Sequence, residues 1–273
     1  MQKLLLTICV SFLCFRSLFC EVIETKHMEQ ILPYIDNETL VAFDIDNTLI
    51  IPKQMLGSDK WFSNTLNKYL SEGCLISEAL AKILPVYMEI QNRTDVAVIE
   101  ESVPYLIHNL QKQGVKIIGV TSRSSELAYK TYEQLASVDI HLDKNSIESD
   151  LKLSTHFPLN YIKGILFTSQ KHKGECLFKL ANELNHPIKK IVFVDDKLIY
   201  LEQLEEICAY NRIPYVGFRY GGADEFVNSF NDEIALVQLK YFEHILSNDD
   251  ADLLIQKNIG ESFESPSSIS RFY

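Results

Sequence analysis

Short, continuous apolar runs recur along the chain, each closed by polar or turn residues: 40–45, 116–121, 164–168, 191–195 and 214–218. Within each run apolar and polar positions do not alternate. That is the pattern of strands buried on both faces, as in a parallel sheet covered by helices. Between the runs the apolar period changes to that of a helix. Residues 98–113 carry Val103, Leu106, Ile107 and Leu110 and stop at Gly114. Residues 125–135 open with Ser and an early acid, as a helix N-terminus should. Residues 175–184 and 198–208 are two more helical patterns. Strand and helix in alternation predict an α/β fold with right-handed crossovers.

Three stretches break the rhythm. Residues 51–95 hold two helical patterns, 60–70 and 76–90, placed straight after the first strand. An insertion at the carboxyl edge of a sheet would hang over the ligand crevice. Its aromatic residues, Trp61, Phe62, Tyr69 and Tyr87, with Met88, either fill the seam with the core or touch a ligand. Residues 137–160 are polar and mixed, with His141, His156 and Pro158, and predict an excursion with short strands. Residues 224–246 look helical, through Phe226, Phe230, Ile234, Leu236, Val237 and Leu239, and 247–273 are expected to be a loose tail.

The first twenty residues, MQKLLLTICVSFLCFRSLFC, stand apart. Lys3 precedes an apolar run over 4–15, shorter than the ~20 residues that span a bilayer. This is the layout of a bacterial secretory signal, with a buried N-terminal helix as the alternative. Arg16 and Phe19 make the cleavage region poor, and a cut after Cys20 fits best. Ser17-Leu18-Phe19 lacks the small residues expected before a lipidated Cys. The expectation is a chain exported to the periplasm or beyond, with no integral membrane span in its mature part. The net charge of −11 argues against a nucleic-acid partner, which needs a basic footprint. Three of the six Cys fall in the leader; Cys74, Cys176 and Cys208 predict buried thiols, although export permits one disulfide.

Candidate chemistry gathers at the strand ends. Asp44 and Asp46 close the first apolar run within Phe43-Asp44-Ile45-Asp46-Asn47-Thr48. Paired acids at an apolar strand end are costly unless a cation compensates them, although a lone acid pair in a turn is common. Gly119-Val120-Thr121-Ser122-Arg123 ends the second strand and leads into a helix, where hydroxyls and N–H groups can seat an anion. Arg123 is expected to add a bidentate phosphate contact. Lys171 and Lys173 stand at a helix start, against the dipole, where a surface Lys or an anion partner would explain them. Asp195-Asp196 closes the fourth run. Hard oxygen ligands of this kind suit Mg2+.

In this order the four pieces resemble the haloacid dehalogenase superfamily of aspartyl-phosphate hydrolases. Residues 40–49 match its first motif, DxDx(T), and Thr121 the strand-end hydroxyl of the second. Lys173, in a Lys-Gly pair, matches the third better than Lys171, and Asp195-Asp196 the paired-acid form of the fourth. The resemblance covers roughly residues 36–220 and is looser toward secreted acid phosphatases of the superfamily. It implies a Rossmann-like doubly wound parallel sheet over 21–50 and 96–246, with 51–95 as a small helical cap. It also implies a small phosphorylated substrate. Asp44 would be the nucleophile, and Asp46 the acid and then the base. Thr121 and Lys173 would bind phosphoryl oxygens. Mg2+ would be held by Asp44, the Asp46 carbonyl, Asp195 and Asp196. The acid at Asp46 argues against carbon–halogen cleavage. A phosphotransferase, or a binding protein on the same scaffold, are the other readings.

Overall fold

The computed structural model describes residues 20–144, 147, 151–153 and 159–257. The chain begins β1 (Cys20–Thr25), β2 (Thr39–Phe43), β3 (Ile50–Pro52), α1 (Asp59–Ser71), α2 (Ile76–Arg93), β4 (Val96–Val98), α3 (Val103–Lys112) and β5 (Lys116–Thr121). It continues α4 (Ala128–Ala136), β6 (Leu151–Leu153), β7 (Leu159–Ile162), β8 (Ile165–Phe167), α5 (Lys173–Glu183), β9 (Lys190–Asp195) and α6 (Leu198–Asn211). It closes with β10 (Tyr215–Tyr220), α7 (Asp224–Asn228), α8 (Asp232–Lys240) and α9 (Asn248–Lys257).

Eight strands form one sheet in the order β1-β10-β9-β2-β5-β8-β7-β6, parallel as far as β8 and antiparallel over its last two pairs. The reason the strands read as unbroken apolar runs is visible in β2. Val41 and Phe43 point to a face covered by Val103, Leu106, Ile107 and Leu110 of α3 and Leu135 of α4. Leu40 and Ala42 point to the other face, covered by Leu177 and Leu180 of α5 and Leu201 and Leu204 of α6. Both faces are dry, so both alternating sets must be apolar. The fold is α/β, with a mostly parallel central sheet between two helical layers.

The order of strands sets the crevice. From β2 the chain steps outward to β5 and β8, then returns to lay β9 and β10 on the other side of β2. Strand order therefore reverses between β2 and β9, and open α/β sheets bind ligands at the carboxyl ends beside such a switch.

Several elements differ from the sequence expectation. β1 is an edge strand beside β10, and Glu21 and Glu24 interrupt its apolar set, so no apolar run announces it. Of the expected signal over 1–20, residues 1–19 lie outside the described residues, and Cys20 is the first residue of β1. The insertion is closed at its base by the antiparallel pair β3–β4, with Ile50 opposite Val98. The expected helix over 98–113 starts only at Val103, because Val98 belongs to that pair. The expected helix over 224–246 is two helices; Asn231 breaks it by capping α8, its side chain accepting from the N–H groups of Glu233 and Ile234. The expected tail from 247 begins instead with α9. Neither α8 nor α9 contributes to the two clusters on the sheet. Ile234, Val237 and Ala251 cluster with Trp61, Ile83, Val86 and Ile90 of the insertion. A two-helix hairpin cannot bury its apolar stripe alone, and the last two helices supply the missing side. Phe62, Tyr69 and Tyr87 pack against the same cluster.

The excursion over 137–160 contains β6 and β7, which extend the sheet; 145–146, 148–150 and 154–158 lie outside the described residues. The same holds for 258–273. Cys20, Cys74, Cys176 and Cys208 are free thiols, so the disulfide that export would permit does not form among the described residues. Among them, no helix is long and apolar enough to cross a membrane.

Candidate functional site

Asp44 is the first residue beyond β2, and its N–H donates to the Val194 carbonyl at 2.9 Å. The β2–β9 ladder thus runs one step past the strand and fixes Asp44 beside Asp195, the last residue of β9. Carboxylate oxygens of Asp44, Asp195 and Asp196 all lie within 4.8 Å of one another. Asp44 is 5% exposed and Asp195 fully buried. Buried carboxylates at such spacing are expensive unless a cation joins them.

Lys173 is that cation. Its Nζ donates to Asp44 Oδ1 at 2.6 Å and to Asp195 Oδ2 at 2.7 Å, and the residue is 1% exposed. It is the first residue of α5, where Gly174 lets the helix start approach α6. A Cβ on Gly174 would come within 2.9 Å of Ile207 Cδ1. The Lys-Gly pair is therefore a packing requirement as well as a chemical one. The Tyr200 ring centre lies 4.4 Å from the Lys173 ammonium and completes its enclosure.

Asp46 faces the other way. Its carboxylate accepts from Arg123 Nε at 2.8 Å and Nη2 at 2.7 Å, a paired fork. Arg123 is 5% exposed. Nη1 donates to Thr131 and Gln134 on α4, and Nη2 also reaches Gln91 on α2. All five guanidinium N–H donors are thereby spent. This corrects the expectation that Arg123 contacts phosphate: the nearer, fixed carboxylate of Asp46 claims the fork. The same network holds both ends of the insertion, since Gln91 donates to the Gly57 carbonyl and Gln134 to that of Thr94.

Thr121 ends β5 and is 1% exposed; its Oγ1 accepts from the Arg123 N–H at 3.1 Å. Asn47 takes a left-handed φ of 60°, which Asn tolerates, and its Nδ2 donates to Asp196 Oδ2 at 3.3 Å. Lys197 fixes Asp195 from behind, its N–H donating to Oδ1 at 2.9 Å. Its Nζ pairs with Asp59, the first residue of α1.

Burial pushes the Asp44 carboxyl well above the ordinary carboxylate range, and Asp195, Asp196 and Asp46 add to it against Lys173. Burial and Asp195 push Asp196 up to about 7. Burial works the same way on Asp46, but the Arg123 charge and hydrogen bonds outweigh it and hold that carboxyl low. Lys173 and Lys197 are both raised: burial opposes their charge, and the neighbouring acids overcome it.

The site thus brings together Asp44, Asp195, Asp196 and Lys173, as the strand ends predicted. Asp46 offers its carboxylate to Arg123 and not to the acid cluster. Three contributors were not found in the sequence: Arg123 as the partner of Asp46, 77 residues away, and the Lys197–Asp59 pair. A strand-end Arg beside a strand-end acid was the available signal for the first. Nothing along the chain signals the second. The three clustered carboxylates form a hard-oxygen donor set that could hold a metal ion.

Residues 24–252 match the family described as "Protein of unknown function (DUF2608)", which is most of the chain. The chain belongs to this family. It is similar to a "Putative outer membrane protein" of Chlamydia trachomatis serovar D, 27% identical over 81% of this chain and 84% of that one. A Chlamydia pneumoniae protein of the same description is 27% identical over 89% of this chain and 93% of its own. An uncharacterized protein of Rickettsia prowazekii is 24% identical over 81% and 83%. No solved structure matches the chain.

Proposed function

We propose that this DUF2608 chain is an exported, Mg2+-dependent phosphatase that hydrolyses a phosphomonoester through an aspartyl-phosphate intermediate, as haloacid dehalogenase enzymes do. One observation carries the reading. Asp44, the first residue beyond its strand, shares one cluster with Asp195 and Asp196, and Lys173 bonds to both Asp44 and Asp195. A nucleophile, a metal donor set and a cation for phosphoryl oxygens thus stand within one hydrogen bond of each other.

Asp44, Asp195 and Asp196 would hold Mg2+, with the Asp46 carbonyl. When bound, Mg2+ offsets the like charges of the attacking carboxylate and the phosphate. The Asp44 carboxylate attacks phosphorus; the P–O bond to the leaving oxygen breaks as the aspartyl P–O bond forms. Lys173 and the Thr121 hydroxyl hold phosphoryl oxygens as charge builds on them. Asp46 delivers a proton to the leaving oxygen and takes one from the water that hydrolyses the intermediate. Arg123, by holding both oxygens of Asp46, fixes its position, and by stabilising the ionised form it strengthens Asp46 as the acid of the first step.

Contacts on two sides support reading the insertion as a cap: Asp59 of α1 pairs with Lys197, and Gln91 of α2 reaches Arg123. Export is supported by the leader-like first twenty residues and by the descriptions of the chlamydial relatives.

Phosphate release from a panel of phosphomonoesters, with Mg2+ and with EDTA, tests the activity. Turnover is expected only with the metal, and Asp44→Asn is expected to remove it by several orders of magnitude. Residual activity above ~10% would take the nucleophile role from Asp44. Production of a new phosphate ester in place of free phosphate, with an added alcohol, would make the enzyme a phosphotransferase.

A further inference from the structure

The cations Lys173, Arg123 and Lys197, which pair with acids at or beside the site, are not alike. Lys173 and Arg123 are buried, Lys173 bonded to Asp44 and Asp195 and Arg123 to Asp46, Gln91, Thr131 and Gln134. Lys197 has a side chain 41% exposed, and its acidic partner Asp59 is 31% exposed. The backbone of Lys197 is anchored to the metal-donor set through its N–H bond to Asp195 Oδ1. Its ammonium therefore starts from a fixed stem beside the acid cluster and ends partly open to solvent, at Asp59.

The partner is also distinctive. Asp59 opens α1 of the insertion, while Lys197 directly precedes α6 of the core. Two helix N-termini, each carrying partial positive charge, meet at this ion pair. The Asp59 carboxylate occupies the place where an anion is favoured. The pair is partly open to solvent, so an incoming anion can reach the ammonium and take the place of Asp59.

We propose that Lys197 binds a second anionic group of the substrate, a carboxylate or a further phosphate near the transferring one, in exchange for Asp59. The inference rests on the phosphatase reading and narrows it to doubly anionic phosphomonoesters. Ethyl phosphate has nothing to offer Lys197 beyond the phosphate itself. Phosphoglycolate, of similar size, carries a carboxylate that does.

The test is kcat/KM for phosphoglycolate and ethyl phosphate, measured on the full chain with Mg2+. Wild type should prefer phosphoglycolate. Lys197→Gln should lower that preference about tenfold, the value of one charged hydrogen bond. Asp59→Asn, which removes the competing carboxylate, should raise it. A preference unchanged in Lys197→Gln, or lowered in Asp59→Asn, overturns the proposal. If wild type hydrolyses neither ester, the phosphatase reading falls by itself and the exchange is judged by binding. Phosphoglycolate should then raise the wild-type melting temperature more than ethyl phosphate does, and Lys197→Gln should abolish the difference. Equal shifts in wild type would overturn it.

Discussion

Arg123 carries more of the local structure than any single acid it neighbours. Its guanidinium joins Asp46 to Gln91, Thr131 and Gln134, and so joins the loop after β2 to α2 and α4. Arg123→Met would leave the Asp46 charge and three buried polar groups without their partner. Breaking a buried pair from one side typically costs about 3–5 kcal/mol. Arg123→Lys should recover little, because an ammonium cannot reproduce the planar fork. Urea unfolding at neutral pH should show both losses; a change below ~1 kcal/mol in Arg123→Met would mean the network adds little. The pH dependence has a definite sign. The Asp46 carboxyl is held low in the folded chain, so its contribution is present above the unfolded value of about 3.9 and lost as pH falls through the folded one. The difference between wild type and Arg123→Met should therefore narrow in acid.

Elements divide by whether their surroundings are written in their own residues. β5 and β9 are legible because both of their faces are covered, which leaves an unbroken apolar run. β1 is not, because an edge strand keeps charged residues such as Glu21 and Glu24. α8 and α9 show an amphipathic pattern but not which partner receives it, and the partner lies about 150 residues earlier in the insertion. The site repeats this division. Asp44, Lys173, Asp195 and Asp196 are marked by their positions at strand and helix ends, whereas the pairing of Asp46 with Arg123 depends on tertiary distance alone. The turn into α1 gives a test at this scale. Gly57 has φ of +79°, and a Cβ there would lie 2.5 Å from Ile90 Cγ2. Gly73 has φ of +90° with nothing within 4 Å. Both Ala variants meet the backbone penalty, of order 1–3 kcal/mol, but only Gly57→Ala also pushes this turn against Ile90 of α2. Gly57→Ala should lower the melting temperature clearly more than Gly73→Ala; equal losses would show that the turn at Gly57 yields freely.

Across the whole molecule, the sheet's switch point gathers Asp44, Asp195 and Asp196 in a chain that is already acidic, with a net charge of −11. Lys173 offsets part of this, and Arg123 and Lys197 more, but each is also drawn to Asp46 or Asp59. A cation that binds only the folded cluster should stabilise the fold by mass action, by about 2.7 kcal/mol at a hundredfold excess over its Kd. For a chain of this size that is a rise of about 5–10 °C. Asp195→Asn keeps an oxygen for the Lys197 N–H but removes a hard charged ligand, so the rise should shrink by more than half. Lys173→Ala should melt earlier in EDTA, because Asp44 and Asp195 lose their shared partner, yet keep its response to Mg2+. Protons compete for the same oxygens. Asp196, pushed up to about 7, weakens the metal-free fold while ionised, and that cost is relieved as pH falls through its folded value. The protein in EDTA should therefore gain stability from about pH 8 toward about pH 5, while the Mg2+ rise diminishes over the same interval. Melting curves in Mg2+ and EDTA at both ends of that interval decide the matter. An absent metal shift in wild type, or one of equal size in Asp195→Asn, would reduce the three carboxylates to turn residues held by Lys173 and remove the ground for a phosphoryl site.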